Sequence, residues 1–207
     1  MMKDESALEA GLASKYVFEA DDGTRIWVRP ERPDDAPLLV DLFEHLSDQS
    51  RFQRFSKVLD RPDRERVMVE ADRLAERIPP EEYAWLAFAD LPDQQAAPIA
   101  AARLAKVADD TAEVAVVVRD DLQLRGIGSR LLNYVLDQAR IHGMNRLTAT
   151  FRSDNRAVWR LLGYSPYHVT WEMHGTQVDV IIHVPPLSRE NGPRVSTREA
   201  SEQPPAP

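Results

Sequence analysis

The stretch from Gln123 to Gly128 reads QLRGIG, and it decides how the rest of the chain is interpreted. A strand-like run, AEVAVVV, ends at Val118, and a helix-like run, SRLLNYVLDQARIHG, begins at Ser129. The two glycines of the stretch remove side chains where the strand turns into the helix, which exposes backbone N–H groups at the positive end of the helix dipole. Such a junction can form a phosphate-binding site, although glycine pairs at these turns also serve purely steric purposes.

Two familiar phosphate seats do not fit this stretch. The dinucleotide fingerprint requires a third glycine where this chain has Leu131, and the following strand, RLTAT, offers no acid for a ribose. The nucleotide-binding P-loop requires Gly-Lys followed by Ser or Thr, whereas Gly128 is followed by Ser129 and Arg130. Neither a Rossmann nor a P-loop site is therefore predicted.

Length and charge limit the class of protein. A chain of 207 residues with 43% hydrophobic content buries one substantial core, so we expect a single domain. Its 34 acidic residues outnumber 26 basic ones, which gives a formal net charge of −8 and argues against nucleic acid as a partner.

The residues that are absent or scattered are also informative. The chain has no cysteine, which excludes disulfides and thiolate metal sites and favours a cytoplasmic location. Its five histidines show no ligand spacing, so no metal is expected. No apolar run approaches the roughly 18 residues of a membrane helix, and the start MMKDESALEAG does not resemble a signal peptide. We therefore expect no association with a membrane.

The two ends of the chain are predicted to lie outside the domain. From Pro185 onward the sequence is rich in proline and nearly free of large apolar residues, so it cannot offset its ordering entropy. We expect an N-terminal tail over residues 1–14, a domain over 15–186 and a disordered C-terminal tail over 187–207.

Strands and helices alternate in the predicted domain. A hairpin is expected over 18–29 with its turn at Asp22 and Gly23, a helix opened by Pro33 and continuing to Leu46, and a second helix over 63–77. Further strands are predicted at 83–88, 99–107, 113–118, 146–151, 168–173 and 177–184, with helices opening near Gly126 and at Asn155. This order predicts an α+β class with a mixed sheet.

The motif Gln-x-x-Gly-x-Gly after a strand resembles the pyrophosphate loop of the GNAT superfamily of N-acetyltransferases, and the resemblance runs from about residue 24 to 184. It implies a mostly antiparallel sheet with a splayed central strand pair, flanked by helices, and acetyl-CoA as co-substrate with no metal. The loop residues that it implies for the diphosphate are Gln123, Leu124, Arg125, Gly126, Ile127, Gly128, Ser129 and Arg130. Arg125 and Arg130 are equally plausible as exposed charges at the start of the helix.

Two further segments carry the same resemblance. In the superfamily the strand before the loop binds the pantetheine arm through its backbone, which implies this role for Ala115, Val116 and Val117. The stretch SDNRAVWRLLGY resembles the next signature, in which an asparagine opens a helix near CoA, here Asn155, and Leu-Gly-Tyr ends it. The interval from the asparagine to the glycine of Leu-Gly-Tyr is about one helical turn shorter than usual, so we expect a short helix.

Within the superfamily the likeness is to bacterial protein lysine acetyltransferases. The stretch LSDQSRFQRF resembles a segment beside their acceptor channel, which implies substrate-side roles for Ser47, Arg51 and Phe52. Ser47 and Arg51 serve equally well to cap or pin a helix. The stretch AEVAVVVRDDLQ resembles their strand with the catalytic glutamate.

The chemistry of amine acetylation requires a base near the thioester carbonyl, because an ammonium must lose a proton before its nitrogen attacks. Glu113 is the candidate, and burial in its apolar strand would raise the pKa of its carboxyl. The alternative is an edge-strand acid that faces water. Tyr164 is a candidate to protonate the leaving thiolate, although the same residue fills the packing position of its motif.

The sequence thus predicts an acetyl-CoA-dependent N-acetyltransferase that acts on an amine, with a protein lysine as the favoured acceptor. Two alternatives stay open: an acetyltransferase for small-molecule amines, and a non-catalytic module that senses acyl-CoA or binds a partner.

Overall fold

The computed structural model describes residues 16–55, 63–76, 79 and 81–186, with the backbone alone for 52–55. Four expectations fall outside this part of the chain. They concern the tails at 1–14 and 187–207, the end of the second predicted helix at position 77, and the side chain of Phe52.

The described strands form one sheet in the order β1-β2-β3-β4-β5-β6-β8-β7. The strands are β1 (Tyr16–Glu19), β2 (Arg25–Pro30), β3 (Glu82–Ala89), β4 (Ala97–Ala108), β5 (Thr111–Val118), β6 (Arg146–Arg152), β7 (His168–His174) and β8 (Gln177–His183). Neighbouring strands are antiparallel except β5 and β6, which are parallel. The predicted α+β class with a mixed, mostly antiparallel sheet is therefore confirmed.

Helices lie against the sheet. They are α1 (Ala36–Glu44), α2 (Asp48–Phe55), α3 (Arg64–Ala75), α4 (Ile127–Ile141) and α5 (Arg156–Gly163), with short 3-10 turns at Pro33–Asp35 and Asp120–Leu122. The inner face of α4 is fully buried at Leu131, Val135 and Leu136, where it joins the main core with β4 and β5. A smaller apolar cluster of Ala36, Val40, Ala71 and Ala75 holds α1 against α3.

Most predicted elements agree with the structure within one or two residues at their ends. The hairpin with its turn at Asp22 and Gly23 is present as β1 and β2. The helix predicted from Pro33 begins with a 3-10 turn and ends at Glu44, so Leu46 is buried beyond its end. The predictions missed α2, since DQSRFQRF shows no clear apolar stripe.

Candidate active site

The parallel pair β5 and β6 separates after three residue pairs. The pairs are Thr111 with Arg146, Ala112 with Leu147, and Glu113 with Thr148. On its other side β5 remains paired with β4 as far as Val118. The edge of β5 that faces β6 is therefore open beyond Glu113, which is the splayed pair that the resemblance implied.

Strand alternation identifies the backbone groups that face this opening. Thr148 Oγ1 donates a hydrogen bond to the carbonyl of Ala112 at 3.4 Å, so the backbone groups of Ala112 point toward β6. Residues two and four positions later point the same way, which places the N–H and C=O groups of Val114 and Val116 along the opening. Ala115 and Val117 direct theirs toward β4. Of the three residues implied for pantetheine, Val116 alone offers its backbone to a ligand here.

The loop after β5 is fixed by its own contacts. Gln123 Nε2 donates to the carbonyl of Val118 at 3.2 Å and to Asp120 Oδ1 at 3.0 Å, which ties the loop to the end of the strand. Leu124 is 78% exposed and has φ of 63°. Among the described residues, no side chain caps the start of α4, and its first N–H groups have no carbonyl one turn earlier to accept them. These N–H groups can donate hydrogen bonds to an anion bound at the loop.

The two loop glycines lie at tight positions, and Gly126 also has a left-handed backbone that favours glycine. Gly126 has φ of 74°, and a Cβ there would lie 2.1 Å from Arg130 Nη1 and 2.7 Å from Asp21 Oδ1. A Cβ on Gly128 would lie 3.2 Å from Leu161 Cδ2 and 3.7 Å from Val118 Cγ2. Val118, Gly128 and Leu161 line a common groove between the end of β5 and α5, and a side chain at position 128 would narrow it.

A cleft of about 750 Å³ connects the splayed strands, the loop and α5. The sequence-predicted residues among its lining are Glu113, Ala115, Val116, Val117, Gln123, Leu124, Gly126, Ile127, Gly128, Ser129, Arg130, Asn155 and Tyr164. Arg125, Ser47 and Arg51 are not part of its wall. The cleft thus brings together nearly all the residues that the sequence assigned to coenzyme and chemistry.

Glu113 stands where the pairing of β5 with β6 ends. It is the last β5 residue paired with β6, opposite Thr148, and it lies on the sheet face away from the buried Ala112 and Val114. Its side chain is exposed, so the burial that the apolar run suggested is not found. The reason is that Ala112 and Val114 on either side point toward the core while the glutamate points to the opposite face. The carboxylate lies at the cleft and in contact with water.

Tyr164 and Asn155 mark the two ends of α5. Tyr164 is 66% exposed, so the packing position considered for it is wrong, and its ring stands at the cleft wall. Asn155 is buried and caps the helix, since its Oδ1 accepts from the N–H of Val158 at 3.2 Å. Its Nδ2 is thereby the side-chain group that can donate to a ligand. The helix has eight residues, as the shortened motif predicted.

Ser47 and Arg51 make the structural contacts that were considered for them. Ser47 Oγ accepts from the N–H of Ser50 at 3.2 Å and so caps the start of α2. Arg51 donates to the carbonyl of Phe43 through Nε at 3.2 Å and stacks on the Phe43 ring, which pins the end of α1. The N–H of Ser47 also donates to Asp120 Oδ2 at 3.2 Å, which connects α2 to the loop after β5.

The sequence missed the acids that meet the loop arginines. Arg130 pairs with Asp21 at 2.8 Å and Arg125 with Asp22 at 2.7 Å. The stretch ADDG was interpreted only as a hairpin turn, and nothing local to it indicates a partner more than 100 positions away along the chain.

In the part of the chain that the structure describes, no group of three or more His, Asp and Glu side chains is arranged to hold a metal ion. None of the helices in that part is both long and apolar enough to cross a membrane.

A family model described as the Acetyltransferase (GNAT) family matches residues 39–164. The GNAT domain of S. lividans PAT superposes with a TM-score of 0.70 at 24% identity, covering 82% of this chain and 96% of that one. The spermidine N-acetyltransferase of Vibrio cholerae, solved in complex with CoA and spermine, gives 0.60 at 13% identity, covering 77% and 95%. At these identities the likeness shows the fold alone.

Two matches involve larger proteins. A cAMP-binding acyltransferase from Mycobacterium smegmatis superposes with a TM-score of 0.55 at 24% identity, and this chain covers 49% of it. A curated protein, the tRNA(Met) cytidine acetyltransferase TmcA of Aeropyrum pernix, is 43% identical over 56 residues. That match spans 27% of this chain and only 8% of the curated relative's length.

Proposed function

The chain belongs to the GNAT family of acetyltransferases, and from that premise we propose that it transfers the acetyl group of acetyl-CoA to an amine nitrogen, with a protein lysine as the favoured acceptor. The observation that carries the proposal is the opening of β5 from β6 beyond Glu113, directly in front of the glycine loop and the uncapped start of α4.

The coenzyme fits this arrangement in three parts. The diphosphate takes the N–H groups at the start of α4, where the helix dipole favours negative charge. The pantetheine arm lies along the open edge of β5 and exchanges hydrogen bonds with Val114 and Val116 as an added strand would. Asn155 Nδ2 donates to the arm from the start of α5. The thioester then reaches the neighbourhood of Glu113 and Tyr164, which both line the cleft.

The reaction assigns one proton step to each of these two residues. Glu113 takes a proton from the acceptor ammonium, directly or through one water, and the freed nitrogen attacks the thioester carbonyl. The tetrahedral intermediate collapses with cleavage of the C–S bond, and the CoA thiolate leaves. Tyr164 donates its hydroxyl proton to that thiolate, and the second proton that the former ammonium loses on becoming an amide returns to the Tyr164 oxygen through water. The exposure of Glu113 lets its proton pass to bulk water before the next turnover.

The acceptor is proposed from weaker support. Protein lysine is favoured by the segment LSDQSRFQRF, which resembles the segment beside the acceptor channel of bacterial protein lysine acetyltransferases. A small amine is the second candidate, since the Vibrio cholerae enzyme with the same fold is named for spermidine. Transfer RNA is disfavoured by the net charge of −8. A cytoplasmic location is proposed from the lack of cysteine.

Release of CoA thiol from acetyl-CoA, measured with lysine peptides, with small amines and without acceptor, tests the proposal. We expect release that depends on an acceptor, is highest with lysine peptides, and is matched by the mass of one acetyl group on the peptide. Faster release with small amines would assign the second acceptor class. CoA binding without acceptor-dependent release would contradict the enzyme and favour a non-catalytic acyl-CoA module.

A further inference from the structure

The turn between β1 and β2 carries two carboxylates onto the glycine loop. We propose that this acidic turn, defined as Asp21, Asp22 and Gly23, competes with the coenzyme diphosphate for Arg125 and Arg130, so that acetyl-CoA must displace an internal anion in order to bind. The inference rests on the proposed function of the loop as the diphosphate seat.

Two ion pairs join the acidic turn to the loop. Asp21 Oδ1 accepts from Arg130 Nη1 at 2.8 Å, and Asp22 Oδ2 accepts from Arg125 Nη1 at 2.7 Å. The backbone adds a third contact, since the N–H of Asp21 donates to the carbonyl of Arg125 at 2.9 Å. Both arginines of the glycine loop are therefore already paired with carboxylates of the protein itself.

The Asp21 carboxylate also lies close to the seat. Its two oxygens are 2.7 and 2.8 Å from the position of a Cβ on Gly126, the residue that precedes α4, and Asp21 itself lines the cleft. A diphosphate at the start of α4 would therefore meet a like charge at short range, which raises the energy of the bound state unless the turn moves away. Moving the turn breaks both ion pairs and releases both arginines to the phosphate oxygens.

The Asp22 carboxylate of the acidic turn stays ionised well below neutral pH. Hydrogen bonds from Thr24, of which the one from its backbone N–H has the largest effect, lower the pKa of Asp22 to about 2. The contact with Arg125 contributes in the same direction. The hydrogen bond between the N–H of Thr24 and Asp22 Oδ1, at 3.0 Å, shapes the turn itself and does not involve the loop. An asparagine at this position retains that acceptor and removes the charge.

An alternative role for the two carboxylates predicts the opposite effect on coenzyme affinity. If the carboxylates served to hold Arg125 and Arg130 in position for the phosphates, their removal would weaken coenzyme binding. Competition predicts that their removal strengthens it. The side chains of the two ion pairs are between 37% and 59% exposed, so each pair is worth a factor of about 1.4 to 5 in an equilibrium constant.

The test compares CoA affinity, by calorimetry, for wild type, Asp21→Asn, Asp22→Asn and the double variant. The matched control combines Glu81→Gln with Asp109→Asn. It makes the same change in net charge at two exposed positions near the C-terminal end of β4. We expect the double variant to bind CoA about 2- to 25-fold more tightly, the singles to show part of this gain, and the control to match wild type. The gain should shrink as salt is raised, because these half-exposed charges are screened.

A donor that lacks the diphosphate makes the test specific. With acetylpantetheine in place of acetyl-CoA, kcat/KM of the double variant should equal that of wild type. Weaker or unchanged CoA binding by all three variants, or an equal gain with acetylpantetheine, would overturn the competition. Failure of the wild-type protein to bind CoA would instead refute the proposed function, so the two failures are distinguishable.

Discussion

A valine at position 128 tests whether the coenzyme runs through the groove between β5 and α5. A Cβ at this position already approaches Leu161 Cδ2 to 3.2 Å and Val118 Cγ2 to 3.7 Å. The two further methyl groups of valine overpack this contact, at a cost of about 1–3 kcal/mol in the free energy of unfolding. The same methyl groups occupy the groove that the pantetheine arm needs, so we expect Gly128→Val to weaken CoA binding by at least about 30-fold, or roughly 2 kcal/mol.

Thermal unfolding with and without CoA measures this loss directly. At a CoA concentration of about 100 times the wild-type Kd, binding stabilises wild type by about 2.7 kcal/mol, which raises Tm by about 5–10 °C for a domain of this size. At the same concentration the variant, with Kd about 30-fold higher, gains only about 0.9 kcal/mol and a few degrees. Calorimetric titration gives the two Kd values independently.

Ala139→Val is the matched control for destabilisation. Ala139 is fully buried in the main core on α4 and is not part of the cleft wall. The valine there overpacks the core at a similar cost but leaves the groove unchanged, so its gain in Tm with CoA should equal that of wild type. If Gly128→Val keeps the full wild-type shift, the coenzyme does not pass between Val118 and Leu161 and the placement of pantetheine is wrong.

Three further predictions concern a buried histidine, the proposed acid Tyr164 and the C-terminal segment. Burial lowers the pKa of His142, so stability is complete above about pH 6.5 and falls as the pH drops toward the folded pKa. Urea unfolding should show wild type losing stability relative to His142→Phe between about pH 7 and 5, and a constant difference would contradict the effect of burial. Tyr164→Phe should lower kcat about 10- to 100-fold with little change in the Kd of CoA, whereas unchanged kcat would show that solvent protonates the thiolate. Removal of the residues after position 187, whose composition predicts disorder, should leave Tm and acetyl transfer unchanged, and loss of either would show that this segment docks.

The elements with a strong local pattern were predictable from the sequence. The run AEVAVVV, the glycine pair after it and the apolar stripe of α4 are each specified within a few residues, and the structure places them as expected. Helix α2 was missed because its eight residues carry mostly polar side chains, so no periodic stripe marks it.

Side-chain environments depended on contacts that no local pattern contains. Glu113 lies in an apolar run, yet its exposure is decided by the sheet face on which it lies, and that face is opposite to the one that buries Ala112 and Val114. Tyr164 follows a leucine-rich segment but lies just beyond the helix end, where its ring points away from the core. The partners of Arg125 and Arg130 come from a hairpin more than 100 residues earlier, a proximity that only the folded chain creates.

The central claim is that acyl transfer takes place where β5 and β6 separate, with Glu113 as the base. The measurement that tests it most directly is kcat/KM of Glu113→Gln across pH, together with the Kd of CoA. Glutamine keeps the shape of the side chain and removes the proton acceptor. We expect kcat/KM to fall by about 10²- to 10⁴-fold, the acidic limb of the pH profile to flatten, and the Kd of CoA to stay near that of wild type. Near-normal turnover at neutral pH with the acidic limb intact would contradict the account, because the proton would then leave by another group and Glu113 would be an ordinary strand residue.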